Sequence, residues 1–368
     1  MAQTMEGKNA AAWQEAYDAL TAYVSGNEAI RISPTSLRIP KPEREAFYSR
    51  VDDVVEKLAA GLAGERLGEA AALAKELEAI RQRIYSSSNL RAWRLPMSIE
   101  NLIRSPEKAA SQPLFEQVLD ALQYGRRTEE LEDRARQVLF PFLKDLHRCT
   151  YEAWAYLGIV EAWHPVRFYG IVTTDFTSLT VTEADEVTMG YQQSSPDKRL
   201  PEMAFETEAG ETLAIKTETG LELDAYGEKV SREKGYSSGG NTVNELAHRV
   251  LLTYRFPNPQ SVGFLADAEK GFVRPTDLTC TFLLPSEMEN EYLYSSVVRH
   301  LNAVRSLRPV QLLSFDPNGR FPTIENRNLS LPNWERTVIG YEKKQLEQVA
   351  GKLFPQNNTE GGAHENQL

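Results

Sequence analysis

The sequence predicts an α+β protein: an N-terminal helical domain over residues 1–160, followed by a β-rich mixed domain over 165–354 with antiparallel strands and two or three helices. Three observations predict it. Apolar residues recur at steps of three and four through the first part. At Pro165 the texture changes to runs of β-branched and aromatic residues, which suit strands. Beyond that point short alternating runs are separated by Ala209-Gly210 and Thr219-Gly220, the punctuation of a hairpin or meander.

In PEREAFYSRVDDVVEKLAAGL, residues 42–62, the apolar positions Phe47, Tyr48, Val51, Val54, Val55, Leu58 and Leu62 form one stripe. Pro42 suits a first helical turn, where its missing N–H costs nothing. Residues 67–85 continue with Leu67, Ala70, Leu73, Leu77, Ile80 and Ile84, among Ala and Glu of high helix propensity. The spacing predicts that these two segments form an antiparallel helical pair. Further helices are expected over 98–104, 112–124 and 128–160, the last kinked or divided by Pro141. Between helices, IRISPTSLRIPKPE at 30–43 reads as an extended arm.

In the second part VRFYGIVTT, SLTVTEADEVTMGY, MAFET, ETLAIKTE and LELDAYG read as strands, with a polar break at 192–201. Strands near 261–266 and 278–284 follow, then a helix over 286–306, the strand VQLLSF at 310–315 and a Pro- and Asn-rich loop at 316–333. A last amphipathic helix precedes a polar tail, 355–368, that reads as disordered.

The 368 residues carry 41 Lys+Arg against 52 Asp+Glu, a formal charge of −11. Phosphate backbones are gripped through Lys and Arg, so this balance argues against a dedicated nucleic-acid coat, though a nuclease with a local basic surface stays compatible with it. The only cysteines, Cys149 and Cys280, exclude a disulfide scaffold and suit a reducing compartment. The first 25 residues lack the apolar core of a signal peptide, and no apolar run approaches the length of a membrane span. The expected setting is the cytoplasm, with no membrane partner.

Two stretches invite a chemical reading. KGYSSGGNTVNELAHRVLLTY, residues 234–254, sets a Ser- and Gly-rich loop before an apolar-periodic segment. A phosphate loop of the Walker type needs Gly-Lys-Ser/Thr after its glycines, but Gly240 is followed by Asn241. What the residues do provide is a capping box, Thr242 and Glu245, ahead of a stripe of Leu246, Val250, Leu251 and Tyr254. The expectation is a capped helix behind a connecting loop. A second capping box, Ser286 and Glu289, opens the 286–306 segment, whose Arg299, Arg305 and the following Arg308 fit the negative end of a helix dipole.

The sharper candidate is GLELDAYGEKV. Glu222 and Asp224 stand two apart, so on a strand both carboxylates face one side and could hold Mg2+ or Mn2+. A lysine, Lys216 or Lys229, would then meet a phosphate or orient a water. The array resembles the restriction-endonuclease-like nuclease core, in which an acidic residue is followed by E-x-K on a neighbouring strand. Here Glu228-Lys229 lacks the intervening residue, and the neighbouring strand offers Ala214-Ile215-Lys216. Read otherwise, these charges are the wet face of a β-ribbon. The histidines, His147, His164, His248, His300 and His364, show no zinc spacing, and no G-x-S-x-G elbow occurs. The leading expectation is a binding or assembly protein that works through its surfaces without a cofactor, with other proteins as partners. The alternative is a metal-dependent nuclease or phosphodiesterase built on Glu222, Asp224, Lys216 and Lys229, with nucleic acid as its partner.

Overall fold

The structure is a computed structural model that describes residues 2–175, 178–189, 201, 203–219, 249–267, 272–273, 278–282, 307, 309–314 and 334–353. It is α+β, with helices leading and a large sheet following. The chain divides into two compact units, one of residues 1–79 and 95–154, the other of 80–94 and 155–368.

The first unit is built on α1 (Ala2–Ser25), the first part of α2 (Arg44–Ser87), α3 (Met97–Arg104), α4 (Pro106–Ser111), α5 (Phe115–Tyr124) and most of α6 (Thr128–Ala162). Its core is the predicted stripe: Phe47, Val51, Val54, Val55 and Leu58 of α2 join Trp13, Tyr17 and Leu20 of α1. From α6, Leu131, Ala135, Leu139, Leu143 and Leu146 line the same core at steps of three and four.

The structure adds detail to the local expectations in three places. The two segments expected as a helical pair are two helices that follow directly on one another across a kink within the 44 residues of α2. They meet at Gly64, whose backbone (φ 44°, ψ −120°) leaves the helix in a region that glycine enters without a Cβ penalty. Of the two outcomes expected at Pro141, division does not occur: α6 runs on through it for 35 residues. Pro141 and Gln137, the residue whose carbonyl loses its intrahelical donor, are both exposed, so the proline stands on the water-facing side of the helix. The expected extended arm is a small hairpin, β1 (Arg31–Ser33) paired antiparallel with β2 (Ser36–Arg38) around Pro34-Thr35.

The second unit contains β3 (Ala92–Arg94), β4 (Pro165–Asp175), β5 (Ser178–Glu183), β6 (Glu186–Thr188), β7 (Met203–Thr207), β8 (Thr212–Thr219), β9 (Arg249–Phe256), β10 (Ala266–Asp267), β11 (Phe272–Val273), β12 (Leu278–Phe282), β13 (Val310–Ser314), β14 (Trp334–Val338) and α7 (Lys343–Leu353). Eight of these strands form one mixed sheet in the order β14-β13-β12-β9-β8-β7-β4-β5. Pairing is antiparallel from β5 through β12, and parallel for β12 with β13 and β13 with β14. The turn between β7 and β8 uses Gly210 at φ 76°, the glycine that the sequence marked.

The central strands are buried on both faces: Met203, Ala204 and Phe205 on β7, Leu213, Ala214 and Ile215 on β8, Leu251 and Leu252 on β9. This two-sided burial hides a strand from its own sequence pattern. Residues 249–256 were expected to continue a helix, but they form β9, held by β8 on one side and β12 on the other. A fully buried strand carries a continuous apolar run, which lacks the alternation that marks a half-exposed one. Residues 259–265 form a 3-10 helix where a strand was expected, and the strand β14 was not foreseen. The 286–306 helix, the loop at 235–241 with its Thr242 cap, and the tail at 355–368 lie outside the described residues.

One face of the sheet packs on aromatics. Trp93 meets Phe168 edge-on at 5.7 Å, Phe168 lies 5.5 Å from Phe205, and Trp163 stacks on Phe205 at 6.1 Å. Asn89 fixes the start of β4 by accepting from Phe168 N–H (2.7 Å) and donating to the carbonyls of Phe168 (3.4 Å) and Ala184 (3.0 Å). Helix α7 is tied in by Trp163, whose indole donates to the Ala350 carbonyl at 3.3 Å, and by Lys343, which meets Glu161 at 3.1 Å.

Candidate functional site

Of the four residues singled out for metal-dependent chemistry, the structure places Lys216. Glu222, Asp224 and Lys229 lie outside the described residues, as do His248, His300 and His364. Among the described residues no group of three His, Cys, Asp or Glu side chains could hold a metal ion.

Lys216 sits on β8 opposite Leu252 of β9, two positions after Ala214, which pairs with Ala204 of β7 and Tyr254 of β9. It is 5 % exposed, in the middle of the large sheet, among Ala204, Ala214, Leu252 and Tyr254, all buried. Isolating an ammonium group from water costs several kcal/mol of hydration, so a lysine held there is fixed by what it meets rather than by solvent. The alternative reading of these charges as a wet ribbon face does not hold for Lys216, which is buried on a strand that β7 and β9 flank.

Nearer the β5 edge, on the same face, a polar group was not anticipated. Tyr169 of β4 donates its hydroxyl to Glu206 of β7 at 2.6 Å, and the Arg167 guanidinium lies 3.9 Å from the same carboxylate oxygen. Burial, reinforced by the bond to Glu206, holds the Tyr169 hydroxyl above its ordinary range, so the phenol stays protonated and acts as a donor. The signal was in the sequence: Arg167 and Tyr169 stand two apart on a strand and share a face. Their partner on β7 was set by strand register, which pairs Arg167 with Glu206. The three groups satisfy one another, and the arrangement clamps β4 to β7.

In the helical unit, Glu152 is 1 % exposed and bonds Arg148 at 3.3 Å one turn away. That i,i+4 spacing was legible, while the burial was not. Beside them on α6, burial holds His147 below its ordinary pKa, opposed by the charge of Glu69. Asp145 is held above its own, again by burial first, with Arg148 and Lys144 pulling the other way. Cys149 and Cys280 are both buried thiols, and burial pushes the Cys280 thiol well up, away from the reactive thiolate.

The surface of the helical unit carries an aromatic pair. Tyr48 of α2 is 38 % exposed and stacks on Phe115 of α5, ring centroids 6.2 Å apart and planes 23° apart. Phe47, fully buried, meets the Tyr48 ring edge-on at 5.3 Å. The Tyr48 ring is thus supported on two sides while keeping surface in contact with water.

No protein-family model, curated protein or solved structure matches the chain. Among the described residues no helix is long and apolar enough to cross a membrane.

Proposed function

We propose that this chain is a cytoplasmic binding or assembly protein that acts through its surfaces, takes other proteins as partners and carries no cofactor. The observation that supports it is the Tyr48–Phe115 stack. A tyrosine ring already immobilised by its neighbours loses little further entropy on contact, and rigid aromatics of this kind dominate the energetics of protein interfaces. The test is quantitative affinity capture after cross-linking in cells, with wild type, Tyr48→Ala and Tyr48→Phe side by side. Truncation to alanine is expected to reduce capture of the specific partners about tenfold, which corresponds to ~1.4 kcal/mol, while phenylalanine retains them. Equal capture by all three forms removes this surface from the proposal.

A second reading is a Mg2+- or Mn2+-dependent nuclease or phosphodiesterase using Glu222, Asp224 and a lysine, Lys216 or Lys229. What favours it is the burial of Lys216 on a central strand, where a lysine aimed at phosphate would be held rigid. Cleavage of single- and double-stranded DNA and RNA is measured with each metal for wild type and Asp224→Ala. Metal-stimulated cleavage that the variant loses puts this reading first. Equal activity in both forms, or none in either, ends it.

A further inference from the structure

We draw no further inference here: the strongest candidate, the buried side-chain oxygens of Thr253, Gln311 and Thr337 without hydrogen-bond partners on one face of the large sheet, is spread over the separate strands β9, β13 and β14, and nothing in the structure shows what would reach it.

Discussion

His164 has a backbone φ of 51°, the one positive value at a non-glycine among the described residues. It turns the chain from α6 into β4, donating its N–H to the Glu161 carbonyl at 2.9 Å and accepting from Glu208 N–H at 3.0 Å. Both are backbone bonds, so they survive a change of side chain, whereas the left-handed conformation costs an L residue roughly 1 kcal/mol. His164→Gly is therefore expected to stabilise the protein slightly, by up to about 0.5 kcal/mol once the extra freedom glycine has when unfolded is subtracted. Urea unfolding measures it, and a lowered midpoint would mean that the imidazole itself holds the turn. His147 gives a prediction in pH. Its folded pKa lies below the ordinary 6.5, chiefly because burial disfavours the cation. Below pH 6.5 the unfolded chain therefore binds more protons at this site than the folded one, and stability falls as the pH drops toward the folded value. Above pH 6.5 the contribution is complete and flat. Melting curves from pH 8 to pH 5 are expected to show a loss that His147→Gln reduces. Parallel curves for the two proteins would show that other groups set the acid limb.

At the scale of elements, the contact between α6 and α7 is the most exacting. A Cβ on Gly158 would collide with Cδ1 of Leu346, a side chain that is itself fully buried. Alanine raises helix propensity by about 1 kcal/mol over glycine, so in an exposed helix the change would stabilise. Here overpacking costs about 1–3 kcal/mol and wins, because a buried leucine has nowhere to swing. Gly158→Ala is expected to destabilise, and its cost should shrink in a Leu346→Ala background, since the two side chains compete for one space. Additive losses in denaturant unfolding would disprove the clash. Elements of this protein differ in how well their sequences announce them. The stripe Phe47, Val51, Val54, Leu58 names a helix without ambiguity, because one face is buried and the period shows. The run Val250-Leu251-Leu252 carries no such period, because the adjacent Leu251 and Leu252, on opposite faces of β9, are both buried, and the helical spacing it shares with Tyr254 is incidental. The candidate site suffered from the same cause. Lys216 could be read as part of the wet face of a ribbon, and no local pattern announced its burial on a strand that pairs with the sequence-distant β9.

Over the whole molecule, the composition change at Pro165 coincides with the first residue of β4, yet the compact unit holding the sheet also draws on residues 80–94 and 155–164. Trp93 and Trp163 come from those stretches, and they pack directly on Phe168 and Phe205. A fragment of residues 165–354 would leave one sheet face without these partners, exposing aromatic surface that favours aggregation or a loosened core. Such a fragment is expected to lack near-ultraviolet circular dichroism and to bind ANS, while a fragment beginning at residue 80 holds both tryptophans. A cooperative melt from the shorter fragment would show that the sheet supports its own core. What the sequence by itself determined is the class of each long, one-sided element and the order of helices before strands, because hydrophobic period and turn glycines such as Gly210 are local properties. The tertiary structure alone decided which strands lie at the centre, that 249–256 is a strand, and that Lys216 is buried opposite Leu252. Those outcomes depend on hydrogen bonds and contacts between segments far apart in the chain, and a local pattern records burial only when one face remains in water.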